Sequence, residues 1–598
     1  MKRLKNRLVR GVVILGLSCA VSPAATFVVT NANDAGAGSL RQALLDANST
    51  PGANLIHFNL PGSGVRTVAP LTPLPLIRNT LTIDGYSQPG SSPNTLANSN
   101  NAVLLVRLDG VNITNGFPTG LCFSNAANNS VRGLILVRFY TGIQLYASSG
   151  NTIAGNWIGL DADGVSRGNL GPGVDVTCAV FNRSTGNLIG GVTPADRNVI
   201  SGNRVGVSFF PTSADYNTVQ GNFIGTDATG ALPRGNTFEG IKVQSATNIV
   251  IGGASLGARN LICANGTGIS LVGSTRDVVQ GNFIGADATG HYALSNTGDG
   301  IDVQNCTLIT LGSPNAGNLI GNNGGYGISL LGCATNTVQG NWIGTDATGA
   351  WPLGNGKDGI YLQDSSGTTM GGTAAGAANV IEFNLGAGVN IYSGQSNKVS
   401  ASSIFDNAGP GILLGAGANQ SQSAPVLTSA GSAYSSIQVQ GTLASQPKTL
   451  YSLEFFASPP WDAWGITEGR TYLGAMSLAT DGTGNGAFAV TLPASAPADW
   501  LVTATATDPA GNTSAFSAGA PLAAGPAGVT LSITRSNNLQ MILTWPSAAA
   551  GFQLEAAGSF RPPVQWFPVT NAVSDDGLLK TCLIQASPAT NQFYRLSR

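Results

Sequence analysis

Acid–base chemistry on a polymer needs a carboxylate, amine, guanidinium or imidazole held at a fixed distance from a second such group. The 598-residue sequence has little material for it: 28 Lys and Arg, 29 Asp and Glu, and two histidines, His57 and His291. The histidines are far apart and read as plain polar residues. The one adjacent acidic pair, Asp575-Asp576, lies near the C-terminus. A charged column emerges only when recurring glycines are aligned. Glu239, Asp299 and Asp358 directly precede such a glycine, and Asp175, Lys242, Asp302 and Tyr361 stand two residues after one. Glu239, Lys242, Asp299, Asp302 and Asp358 are the catalytic candidates, and Tyr361 a candidate for binding substrate. Members two repeat units apart would be about 9.6 Å apart, beside the ~6.5–9.5 Å that separates the carboxylates of inverting glycosidases. A solvated face whose charges recur because the repeat recurs is the competing reading.

An aromatic column offers different chemistry. Trp157, Phe223, Phe283 and Trp342 each follow a repeated Asn. Rings at regular spacing suit stacking on sugars, so Trp157 and Trp342 are substrate-binding candidates, with the pair Trp461 and Trp464 further on. Packing is the alternative, because Val199, Leu261, Leu319 and Val380 fill the same position on intervening units. The following loops carry Asp161, Asp163, Asp227, Asp287 and Asp346. A Ca²⁺ site takes six to eight oxygens, so one carboxylate per loop reads as a turn cap. No metal or cofactor is expected, Ca²⁺ being the alternative left open.

The elements that position these residues follow from an internal repeat. Gly-Asn-aromatic-Ile-Gly recurs from Gly155, Gly221, Gly281 and Gly340. A Gly-apolar-x-apolar pattern recurs eleven times, at Gly120, Gly142, Gly173, Gly206, Gly240, Gly268, Gly300, Gly327, Gly359, Gly388 and Gly411. Each unit holds three short alternating segments, too short for amphipathic helices, so the spacing predicts three strands per turn of a right-handed parallel β-helix. Asn198, Asn222, Asn260, Asn282, Asn318, Asn341 and Asn379 fall at one turn position in seven successive coils, where stacked amides would form a ladder. The same register puts Cys306 and Cys333 on adjacent coils, about 4.8 Å apart and within disulfide range. Two small turn residues are the alternative, since Ala246, Ser274 and Ser365 are equivalent.

Composition agrees: 81 glycines and only 10% charged residues exclude coiled coils and charge-rich disorder. Residues 1–25 read as a secretory signal peptide, with five basic residues in the first ten and an apolar run too short to span a membrane. Its removal leaves 23 basic against 29 acidic residues, which argues against nucleic acid as a partner. The expected class is all-β, organised as residues 26–118 (N-terminal cap and first coils), 119–420 (β-helix), 421–525 (an immunoglobulin-like β-sandwich) and 526–598 (a second all-β module). Ser39 to Asn48 should form a capping helix, with Ser39 and Gln42 as a capping box.

The opening Val28-Val29-Thr30-Asn31-Ala32-Asn33-Asp34, the following Gly38-Ser39-Leu40-Arg41-Gln42-Ala43 and Thr82-Ile83-Asp84-Gly85-Tyr86 together resemble exported bacterial right-handed β-helix proteins. Gly38 and Gln42 stand where that family's Cys-Ser-Leu-Arg-Glu-Ala motif has Cys and Glu. Residues 504–516 resemble the last strands of bacterial Ig-like tails. The resemblance implies the fold. Its relatives by fold include pectate lyases, polygalacturonases, epimerases and adhesins, and the Asn-Thr-Asp, Gly-His-Gly and Arg-Ile-Lys patches of polygalacturonases are missing here. The expected function is a secreted or surface protein, monomeric, that binds an extended polysaccharide or cell-surface glycan. A non-catalytic adhesin and a polysaccharide lyase or hydrolase are the alternatives.

Overall fold

The computed structural model describes residues 24–178, 182–210, 214–433, 436–460, 468–523, 531–536, 540–547, 551–559, 564–585 and 592–597. The segment read as a signal peptide therefore lies almost wholly outside the described residues, as do Trp461 and Trp464. No described helix is long and apolar enough to cross a membrane.

Three long sheets, all of parallel strands, wind from Thr26 to Leu414. Sheet 1 has 13 strands and begins at Thr26–Val29; sheet 2 has 12 and begins at Arg66–Val68; sheet 3 has 11 and begins at Thr119–Ser124. The chain visits them in rotation, so each coil pairs only with the one before and the one after. This is a parallel β-helix with three faces. Every sheet 3 strand starts at or beside one of the eleven repeat glycines. Gly240 shows why: a Cβ there would sit 2.7 Å from the Gly268 carbonyl oxygen and 2.8 Å from Ile262, so the corner closes only without a side chain. The interior is a stack of like residues in register, such as Ile241, Ile269, Ile301, Ile328 and Ile360, all fully buried. β-branched side chains fill this pleated inner face well.

Corners of a coil expose backbone groups that no strand pairs, and buried amides satisfy them. The expected ladder between sheets 1 and 2 is present. It starts one coil earlier, at Asn156, and passes from Asn198 through Asn222, Asn260, Asn282, Asn318 and Asn341 to Asn379, each Nδ2 donating to the next Oδ1 at 2.8–3.2 Å. A second ladder, between sheets 2 and 3, joins Asn169, Asn203, Asn236, Asn265, Asn296, Asn323, Asn355, Asn384 and Asn407. A third, between sheets 3 and 1, joins Asn129, Asn151, Asn187 and Asn217. Further along that corner Asp277 takes over, its Oδ1 accepting from the Ile249 N–H at 2.9 Å.

Both ends are closed. Helix α1, Leu40–Ser49, buries Leu40, Ala43, Leu44 and Ala47 against the core of the first coils. Ser39 caps it, but the box is incomplete: the Gln42 amide donates to Asp46 at 2.8 Å rather than turning back. At the other end the sandwich, Val426 to Ala523, is no detached module. Its strands Leu450–Ser458, Thr471–Ala479 and Leu501–Thr507 form one layer, and Val426–Ala433, Ser436–Ala444 and Asn485–Leu492 the other, with Ala520–Ala523 bridging them. The first layer docks on the last coil. Glu454 accepts from Ser400 Oγ at 2.6 Å and Ala401 N at 2.8 Å, Thr513 accepts from Val399 N at 3.0 Å, and Gly469 pairs with Ile404. Phe516 packs on the solenoid core. Beyond it a small all-β unit gathers Leu543, Trp545, Leu554, Cys582 and Ile584.

Two predictions follow from the corners. Asn282→Ala removes five side-chain donations and acceptances inside the core and should lower stability by about 3 kcal/mol, read from the urea midpoint. Asp277 is fully buried and burial pushes its carboxyl up to about 7, with Asp215 adding to the effect. The folded protein therefore holds this proton more tightly than the unfolded chain does. Stability falls as pH rises from about 4 to about 7 and stays low above that. Asp277→Asn keeps the acceptor for Ile249 and should flatten this slope, gaining up to about 4 kcal/mol at pH 8 and nothing at pH 4.

Candidate functional site

On the outer surface of sheet 3, strand pairing sets one column: Asp175, Ser208, Lys242, Ser270, Asp302, Ser329, Tyr361 and Asn390, each opposite the next. Seven steps at ~4.8 Å make a strip of about 34 Å. Serines alternate with larger polar side chains and are buried, so the large groups stand about 9.6 Å apart over a serine floor.

The structure brings four of the five catalytic candidates into one patch. Lys242 Nζ lies 3.0 Å from Glu239 Oε1, so that ammonium is already paired. Asp302 accepts from Gln304 Nε2 at 2.8 Å; burial pushes its carboxyl up to about 6, and the neighbouring Asp299 and Glu239 charges push the same way. Asp299 accepts from the Tyr326 N–H at 2.8 Å and is raised chiefly by burial. Asp358 is set apart, accepting from Ala387 N at 2.6 Å and Asn390 Nδ2 at 3.0 Å. Asp175, at the other end of the strip, is likewise raised by burial to about 6.

Tyr361 belongs to a tier of rings. Its centroid is 4.5 Å from that of Tyr326, nearly parallel at 12°, and 6.1 Å from that of Tyr392. Lys357 Nζ sits 4.6 Å over the Tyr326 ring. Sequence reading passed over Tyr326, Tyr392, Lys357 and Gln304, although Tyr326 precedes Gly327 just as Asp299 precedes Gly300. The glycine register contains it, but its ring carries no charge and so stands out from Glu239, Asp299 and Asp358 at that position.

The aromatic column lies on sheet 2. Trp157, Phe223 and Phe283 are buried there, whereas Trp342 is 36% exposed. The long loops fold over this sheet and stack on one another, Ala288 N donating to Gly230 O and Ala347 N to Gly290 O. Their aspartates act inside the loops. Asp287 accepts from Thr289 Oγ1 and from the N–H groups of His291 and Tyr292. Asp346 is buried, yet hydrogen bonds from Thr348, His291 and two backbone N–H groups hold its carboxyl below the usual range. Asp161 pairs with Arg107 and Arg167, and Asp163 with Arg167. Among the described residues no three His, Cys, Asp or Glu are grouped to hold a metal ion. Cys306 and Cys333 do stack on adjacent coils, but as free thiols and not a disulfide: each Sγ is directed at backbone carbonyls, Leu271 and Gln304 for one, Val303 and Leu331 for the other.

Residues 317–424 match the family model described as a right handed beta helix region. No curated protein matches the chain. Among solved structures, a double mutant of the tailspike protein of E. coli bacteriophage HK620 aligns over 78% of this chain and 88% of its own, with 12% identity and a TM-score of 0.28. A second double mutant of that tailspike aligns over 76% and 88%, with 10% identity and a TM-score of 0.21. The chicken CNTN1 FN1–FN3 domains align over 29% of this chain at 13% identity and a TM-score of 0.14, and 61% of that structure's length is covered. Likenesses this slight carry no activity across to this chain.

Asp302 should bind its proton near pH 6, and Asp299→Asn should lower that value, because one neighbouring negative charge is removed. Carboxyl-carbon NMR titration of ¹³C-aspartate-labelled protein checks both.

Proposed function

We propose that this is an exported β-helix protein that binds an extended, largely uncharged polysaccharide along the outer surface of sheet 3. Export is supported by the basic and apolar N-terminal segment, and the Ig-like reading of the tail by the sandwich strands and the sequence at 504–516. The observation that carries the binding reading is the tier of Tyr326, Tyr361 and Tyr392 standing next to a strip of carboxylates, amides and hydroxyls in one register. Sugar rings present apolar faces and a fringe of hydroxyls, which need aromatic edges and dense polar partners together. The one cation in the column itself, Lys242, is paired with Glu239 at 3.0 Å and stands among carboxylates, which favours an uncharged polymer over a polyanion.

Cleavage is the second reading, favoured by Asp302. A carboxyl near 6 beside carboxylates held by separate elements is the pairing that glycoside hydrolysis uses, one group giving a proton and another activating water. Lys242 is a poor lyase base, since its amine is already held by Glu239 at 3.0 Å.

A polysaccharide array with reducing-end and unsaturated-product assays tests these readings. Retention of the protein on a neutral glycan, weakened about fivefold to tenfold in Tyr361→Ala, is the expected result. Product that disappears in Asp302→Asn while binding persists adds cleavage. Absence of binding to any glycan overturns the proposal in favour of an adhesive or structural role.

A further inference from the structure

Sheet 2 carries a second feature that owes nothing to the strip on sheet 3. Two arginines occupy one repeat position, each just before a ladder asparagine: Arg197 before Asn198 and Arg259 before Asn260. Each guanidinium lies over the aromatic ring of the next coil, Arg197 at 4.3 Å from the Phe223 centroid and Arg259 at 3.8 Å from that of Phe283. Their hydrogen bonding differs completely. Arg197 donates to the carbonyls of Leu96, Ala97 and Ser99 at 2.5–3.0 Å, all from one loop that folds over it, and to Gly221 O at 3.4 Å. Arg259 has no acceptor and no acidic partner among the described residues, and its Nε is sealed from solvent with nothing to donate to.

The loop that serves Arg197 stops short of Arg259. Between them is an open cavity of about 140 Å³, walled by Ala97 and Asn98, floored by Phe223, Leu261 and Phe283, and rimmed by Leu256, which is 80% exposed. Arg259 is half-buried, and a donor such as its Nε, shut off from water without an acceptor, is costly to a fold; native proteins rarely leave one without a partner. A planar guanidinium stacked on a ring and facing an apolar-floored cavity is arranged to receive an oxyanion by two parallel N–H bonds.

We propose that this cavity binds a small ring-bearing carboxylate of the hexuronate kind. Its acid group accepts from Arg259 as the loop carbonyls accept from Arg197, and its ring lies over Leu261 between the two phenyl groups. The site is distinct from the polysaccharide strip and stands or falls separately from it.

Calorimetric titration of the intact protein with sodium glucuronate, and separately with sodium sulfate at matched ionic strength, tests the assignment. Saturable glucuronate binding is expected in the wild type, at least about tenfold weaker in Arg259→Met, partly restored in Arg259→Lys and unchanged in Arg276→Met, which removes an exposed arginine elsewhere. Thermal unfolding supplies the check on folding: without ligand Arg259→Met should melt no lower than the wild type, and glucuronate should raise the melting temperature of the wild type alone. Sulfate binding without glucuronate binding would overturn the ring-bearing ligand in favour of a bare oxyanion site. No saturable binding of either, or glucuronate binding untouched by Arg259→Met, overturns the site altogether.

Discussion

Everything in the solenoid depends on how its corners dispose of backbone polar groups. A coil of three short strands turns sharply three times, and each turn leaves N–H and C=O groups inside, away from water and out of reach of any strand. An asparagine solves this locally, because its amide both donates and accepts and because it tolerates turn conformations. In three columns the amides also bond one another from coil to coil. The ladders fix the rise between coils, and that rise fixes the register of everything outside them.

The outer surface inherits this register. Asp302, Ser329 and Tyr361 stand in line because Asn296, Asn323 and Asn355 do so at the preceding corner. Alternation of long and short coils then divides the labour between faces. Loops from every second coil cover sheet 2 and bury its rings, while sheet 3 displays its large polar groups at two-coil intervals. Arg259 owes its state to an exception in the repeat: it stands two coils on from Arg197, beyond the reach of the N-terminal loop around Leu96 to Ser99 that serves Arg197.

Much of this was legible in the sequence. Glycines at a recurring step gave the eleven strands of sheet 3 and the positions of Glu239, Lys242, Asp299 and Asp302 on them, and asparagines at alternating short and long separations gave the first ladder. The other two ladders were harder to see because no constant flanking motif marks their members, and one is interrupted at Ile249 and Asp277, where no amide stands. The tyrosine tier was harder to see because Tyr326, Tyr361 and Tyr392 sit at three different distances from their repeat glycines and meet only when the coils stack. The thiol pair shows the limit in the other direction: register brings Cys306 and Cys333 together, yet each Sγ is turned to backbone carbonyls.

What the sequence determined by itself was the repeat, because periodicity is a local property that each coil states again: strand, corner, strand, with like residues stacked on like. What only the tertiary structure decided were contacts between segments with no common period. The sandwich closing the last coil through Glu454, Thr513 and Phe516, the loop carbonyls that satisfy Arg197, and the pressure of Asp299 and Glu239 on Asp302 all join residues whose separation along the chain follows no rule. Burial and charge act through space, so the chemistry of a side chain is set by whichever groups the completed fold places around it.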